Sequence, residues 1–426
     1  MRGIRRQSGA YPTAVCAGCS GRVGGCDRVG APFAGGRLEA EAWGSANRRR
    51  LKIFRLIFAI PCLFVIARWL VPLALPLSVE GGLSVLLLLA SQYHFWSRLS
   101  SGSVFAPEFP RPVVILFNWA FGAILLLAML QILLDLGTVA TMLVRWHAVS
   151  VPDGARYAIG GLAATLAVVG VAAAVRVPLV KDIEIAITGL SPQFDGYRII
   201  QLTDLHISRL FPARWTRQMV ERTNAARADL IVVTGDFIDG SVEMRRNDVD
   251  PLRHLRAPDG VYAIPGNHEY FFDFGTWTQH LAGLRFRMLP NAHIVLKRQG
   301  ARLVLAGVRD LSAPAVGEAG PDLGVALSGA PDGVPVVLLD HQPKNARQAA
   351  ARGIVVQLSG HTHGGMIRGF DRIFALANGG FVSGRYDVDG MTLYVNNGTA
   401  LWPGFALRLG RPSELTRITL RARRSD

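Results

Sequence analysis

The chain has 426 residues, 50% of them hydrophobic and only 18% charged, with a formal charge of +15 and a mean hydropathy of +0.28. So apolar a balance excludes a wholly soluble protein, and the length allows more than one structural unit. The charge is concentrated at the start, where residues 1–55 carry eleven Arg or Lys against three Asp or Glu. Beside a hydrophobic segment, that pattern fits the cytoplasmic flank of a membrane helix or contact with anionic lipid. Nucleic-acid binding is not expected, because no basic–aromatic stripe or known binding motif accompanies the charge.

Residues 1–47 read as a basic, Gly/Arg-rich disordered leader. It holds Cys16, Cys19 and Cys26, but a closed zinc site needs four ligands and no fourth lies nearby. Cys62 is the last cysteine, so nothing beyond it depends on a disulfide. Residues 48–178 form a transmembrane region with spans near 53–72, 79–97, 112–134 and 157–176. The third and fourth are uncharged from Arg111 to Asp135 and from Arg156 to Arg176, long enough to cross the hydrocarbon core. Arg68 interrupts the first span and is expected to snorkel, Asp135 to cap its helix at the interface, and His94 and His147 to lie at interfaces. Arg98, Arg111, Arg176 and Lys181 fall on the same side as the amino terminus. The positive-inside rule then predicts a multi-pass cell-membrane protein whose remaining part is cytoplasmic.

From 179 to 426 the character changes. Short apolar runs, RIIQL, DLIVVT, VYAIP, VPVVLL and GIVVQL, are each followed by a polar block: TDLH (203–206), GDFID (235–239), GNHE (266–269), DHQ (340–342) and GHTHGG (360–365). The runs read as strands buried on both faces. In a layered α/β domain the crevice beyond the strands' carboxyl ends binds ligands, so the five blocks can converge on one site. Two divalent cations held close together there would clamp the attacking and leaving oxygens of a phosphoryl displacement. Asp236 is the candidate bridging carboxylate, and Asp204 and His206, two apart on an extended turn, can reach one metal. Mixed imidazole and carboxylate donors suit Mn, Fe or Zn better than Ca or Mg. His254, His280 and His293 read as surface helix or loop and receive no role. Glu269 reads as a supporting or turn residue, and Asp310 as a neighbour of the site.

These blocks, in this order, resemble the calcineurin-like metallophosphoesterases, specifically a bacterial membrane-anchored branch. The likeness covers about residues 180–426, including LLDHQPK and the NNGTALWPGFALRLGRPSELTRITL stretch. It implies a four-layer αββα sandwich, two mixed sheets flanked by helices, following a bundle of about four transmembrane helices. It adds His363 to the metal held by Asp204 and His206, and gives the second metal Asp236, Asn267, His341 and His361. It further implies His268 as general acid, Asp239 as the residue orienting it, and a metal-bound hydroxide as nucleophile. The expected activity is hydrolysis of a phosphoester or pyrophosphate bond in a phosphorylated small molecule or lipid-linked substrate, beside membrane lipids. The alternative is a non-catalytic binding or sensor module that keeps the fold.

Overall fold

The structure is a computed structural model that describes residues 58–423. The leader, its three cysteines and the basic run before the first predicted span lie outside the described residues. Helices come first: α1 (Phe58–Leu73), α2 (Leu77–Ser91), α3 (Tyr93–Ser101), α4 (Arg111–Arg145) and α5 (Asp153–Ala174). Among the described residues, two helices, α4 and α5, are long and apolar enough to cross a bilayer. The predicted second segment is two helices, because the sequence turns polar at Gln92 and α3 buries Tyr93, His94 and Ser97. His94 is buried, stacked on Phe58 at 4.3 Å between ring centroids. Asp135 caps nothing, since α4 continues to Arg145. Its carboxylate instead accepts from Arg68 Nε at 3.1 Å and Gln131 Nε2 at 2.8 Å. Arg68 thus forms an ion pair in which its side chain stays 56% exposed.

The rest of the chain forms two six-stranded sheets. The first runs β1 (Val180–Thr188), β12 (Leu415–Arg423), β2 (Arg198–Leu202), β3 (Leu230–Thr234), β4 (Val261–Ile264), β5 (Arg287–Met288). The second runs β10 (Gly384–Val388), β11 (Met391–Val395), β9 (Val356–Ser359), β8 (Val336–Leu339), β7 (Ala301–Gly307), β6 (Ala292–Arg298). Pairing is parallel except for β12 with β2, β10 with β11 and β6 with β7. The five apolar runs expected to be strands are β2, β3, β4, β8 and β9.

Alternation along these strands feeds two cores. Ile199, Leu230, Val232 and Ile264 meet Leu303, Leu305, Val337 and Leu358 between the sheets. Ile200, Ile231 and Val233 face outward under Trp215 and Met219 of α6 (Ala213–Ala225) and Trp277 of α9 (Phe274–Gly283). On the far side, Val304, Ala306 and Leu338 pack under α10 (Leu323–Ala326) and α11 (Ala346–Ala351). The layer order is αββα, and each fully buried aliphatic contributes roughly 1.5–3 kcal/mol.

One loop of the sandwich enters the helices. Residues 402–409, between β11 and β12, place Leu407 in a cluster with Leu126, Ala163 and Val171. Gly170 makes the room, since a Cβ there would meet Leu407 at 2.8 Å. Asn118 of α4 holds the same loop: its amide donates to the Pro403 carbonyl at 2.9 Å and its oxygen accepts from Ala406 N–H at 2.6 Å. Tyr93 Oη also donates to the Pro403 carbonyl, at 2.8 Å.

Candidate metal centre

Each polar block leaves the carboxyl end of its strand on the same edge of the sandwich. The strand residues before it are committed to the two cores, so the next side chains project into the crevice between the sheets. The turns are tight: Asp204, His206, Asp236, His361 and His363 all have φ between 41° and 68°. Left-handed backbone at non-glycine residues costs roughly 1–2 kcal/mol each, and strain of this kind gathers at functional sites. Gly360 allows a close approach, since a Cβ there would collide with the Asp204 carboxylate and the Thr203 hydroxyl.

Two groups of ligand atoms result. Asp204, His206 and His363 form one, and Asp236, His341 and His361 the other, each with its donor atoms within 4.8 Å of one another. In the first, His206 Nε2 lies 3.3 Å from His363 Nε2. In the second, Asn267 Oδ1 lies 3.1 Å from His341 Nε2 and 2.9 Å from His361 Nδ1. Asp236 joins them: its Oδ2 is 3.7 Å from His206 Nε2 and 3.3 Å from His341 Nε2. The seven residues predicted to ligate metal, Asp204, His206, Asp236, Asn267, His341, His361 and His363, are thus brought together.

The donor set fits cations. His341 Nδ1 is 2.7 Å from the Thr234 carbonyl, and His206 Nδ1 is 3.1 Å from Asp239 Oδ2. Each acceptor takes the N–H on that nitrogen and points Nε2 toward the group, the orientation a ligand needs. Without a cation, burial opposes the charge of His341, but Asp236 beside it holds the ring well above the ordinary histidine value. Burial pushes His361 down to about 3 and holds His363 well below the ordinary histidine value, so both are neutral, as ligation requires. Two facing imidazole nitrogens and two carboxylates in a dry crevice leave lone pairs that a cation would satisfy.

His268 and Asp239 sit beside this cluster. His268 opens the short helix α8 (Asn267–Phe271), and its Nδ1–H donates to Asp239 Oδ1 at 2.5 Å. Burial opposes its charge, but Asp236 and Asp239 outweigh that and raise it to about 9. Asp239 does not cap a helix, since Ser241 caps α7 (Val242–Val249). It accepts instead from both His206 and His268, a double role that the sequence did not reveal. Arg245, fully buried on α7, donates from Nε to the Asp239 carbonyl at 2.8 Å.

Other residues turn out to support the site. Glu269 accepts backbone N–H groups from Gly266, Asp236 and Phe237 at 2.7, 3.0 and 2.8 Å, tying two ligand loops together. Gln342, next to His341, donates to both oxygens of Asp310. Arg408 donates to the carbonyls of His363, Asn397 and Ala400. Nothing in their spacing marks Arg245 or Arg408, since both act through backbone carbonyls, which every residue carries. His293 lies on strand β6 rather than in surface helix or loop, with Nδ1 2.8 Å from the Ala326 carbonyl; His254 and His280 also lie outside the cluster.

Residues 197–365 match a family model described as calcineurin-like phosphoesterase. The chain is 34% identical over 269 residues to a bovine transmembrane protein with metallophosphoesterase domain, covering 60% of each chain. It is 32% identical over 245 residues to an uncharacterized metallophosphoesterase of Helicobacter pylori, covering 57% of this chain and 64% of that one. With an uncharacterized metallophosphoesterase of Bacillus subtilis the identity is 30% over 237 residues, 54% of this chain and 80% of the other. The chain thus spans less than two thirds of the bovine and Helicobacter proteins.

Proposed function

Because the chain belongs to the calcineurin-like phosphoesterases, hydrolases of phosphoester bonds, we propose that it works as a dinuclear, membrane-anchored member acting on a lipid-linked phosphoester or pyrophosphate. The observation that carries the dinuclear reading is Asp236 Oδ2, within 3.7 Å of His206 Nε2 and 3.3 Å of His341 Nε2, between the two ligand groups. One ion would be held by Asp204, His206, His363 and Asp236, the other by Asp236, Asn267, His341 and His361. When bound, such a pair activates water as a nucleophile and offsets charge on the phosphoryl oxygens. Mn, Fe and Zn suit the donors.

The protein's own groups do the rest. Asp239 accepts a hydrogen bond from His268 Nδ1–H and so turns Nε2–H to the pocket, where it delivers its proton to the departing oxygen. That role is worth roughly 10²–10⁴-fold. Asp239 also orients His206, and Glu269 holds the loops of Asp236 and Asn267 in register. The test is Asp236→Asn: metal content measured by mass spectrometry is expected to fall at both positions, and hydrolysis of bis-p-nitrophenyl phosphate to drop on the order of 10³-fold. Two fully retained metals would refute the shared ligand.

For the anchor we propose four spans, with α1 and α2 beside α4 and α5, residues 48–178 as the membrane unit and 179–426 as the catalytic one. Arg111, at the start of α4, donates to the Leu210 carbonyl at 2.9 Å, and Arg222 donates to Val177 and Pro178 where α5 leads into β1. The sandwich therefore lies at the Arg-rich ends of these helices, which supports a cytoplasmic site. Single cysteines introduced at Ser150 and Ser191 test this: only Ser150→Cys is expected to react with an impermeant maleimide added to intact cells.

A further inference from the structure

The pocket over the candidate centre is a cavity of about 200 Å³, and one of its walls comes from the helical region. Phe105, in the connection between α3 and α4, meets His268 edge-on at 5.2 Å, stacks on Phe271 at 5.4 Å and meets Trp402 at 5.7 Å. Met366 and Phe374 continue the wall. Phe374 belongs to α12 (Asp371–Ala377), whose Ile373 and Leu376 are 62% and 86% exposed. The connection is pinned from the sandwich side, with Glu108 paired to Arg209 at 2.7 Å and to buried Arg245.

Among the residues lining the cavity there is no Lys or Arg. The buried guanidinium nearby, Arg408, turns both terminal amino groups to backbone carbonyls. A nucleoside di- or triphosphate carries phosphates beyond the reacting one, and those are ordinarily met by cationic side chains. Here the lining offers charge compensation for a single phosphoryl group and apolar surface for what is attached to it. That surface touches His268, the side on which the leaving group departs.

We propose that Phe105 is a specificity-determining residue: with Phe271 and Trp402 it selects phosphoesters whose leaving oxygen carries an alkyl chain, an amphiphile rather than a nucleotide. This rests on the phosphoesterase reading above. The test uses the full chain in non-ionic detergent, with octylphosphonate and ethylphosphonate as competing inhibitors of bis-p-nitrophenyl phosphate hydrolysis. The unaltered chain is expected to bind octylphosphonate at least tenfold more tightly than ethylphosphonate. In Phe105→Ala that preference is expected to fall about tenfold, the loss from removing roughly 55 Å² of apolar contact, while Phe105→Leu keeps most of it. Equal inhibition constants in the unaltered chain, or an unchanged ratio in Phe105→Ala, overturn the inference and leave the phosphoesterase reading standing. Absence of metal-dependent hydrolysis by the unaltered chain overturns both.

Discussion

In the helices, polar side chains find a few partners each: buried Asn118 takes Pro403 and Ala406, and the partly exposed Asp135 takes Arg68 and Gln131. At the strand ends of the sandwich, polar groups are instead crowded beyond what they can satisfy among themselves. His206, His363, His341 and His361 face one another around Asp204 and Asp236, and all of these but His341 lie on backbone of positive φ. The first pattern is what stability alone produces, since an unpaired buried polar group costs more than its partner gains. The second is tolerable only if something else completes the coordination. Substitutions in the two regions should therefore differ in kind: loss of function at the strand ends, loss of stability among the helices.

The largest effect is expected at His268. His268→Ala should keep both metals and cut turnover roughly 10²–10⁴-fold on esters with poor leaving groups, and far less on p-nitrophenyl esters, measured by steady-state kinetics. An equal loss on both would remove the proton-donor role. Next comes the junction: Leu407→Ala opens a cavity in the helix-facing cluster and should cost about 2–5 kcal/mol. A falling thermal midpoint with unchanged metal content would sharpen the contrast. Asn118→Leu removes partners for the Pro403 carbonyl and Ala406 N–H and should cost about 1–3 kcal/mol, read from the same melting curve. The smallest effect belongs to the Asp182–Arg417 pair on the sandwich surface. Asp182→Ala should change stability by less than about 1 kcal/mol, and a larger shift would mean that surface pairs matter more here than burial.

Much of the sandwich was legible before any coordinates. Runs such as LIVVT carry no charge and are committed to two cores, so their identity as strands follows from composition, and the ligand types follow from the blocks after them. The helical region was legible only as hydropathy. Its segment boundaries moved because α2 breaks at Gln92 and α4 runs past Asp135, and both depend on what the side chains meet. His94 illustrates the limit, since only the packing on Phe58 and Phe121 shows it to be buried.

The order of strands and polar blocks, and the residue types able to hold cations, were determined by local sequence, because burial on both faces and the turn after each strand act over a few residues. What tertiary structure alone decided is which groups meet: Asp239 with two histidines, Arg245 and Arg408 with backbone carbonyls, Leu407 against Gly170, and Phe105 over His268. Such contacts join positions up to hundreds of residues apart through carbonyls and packed rings, which leave no periodicity or spacing along the chain.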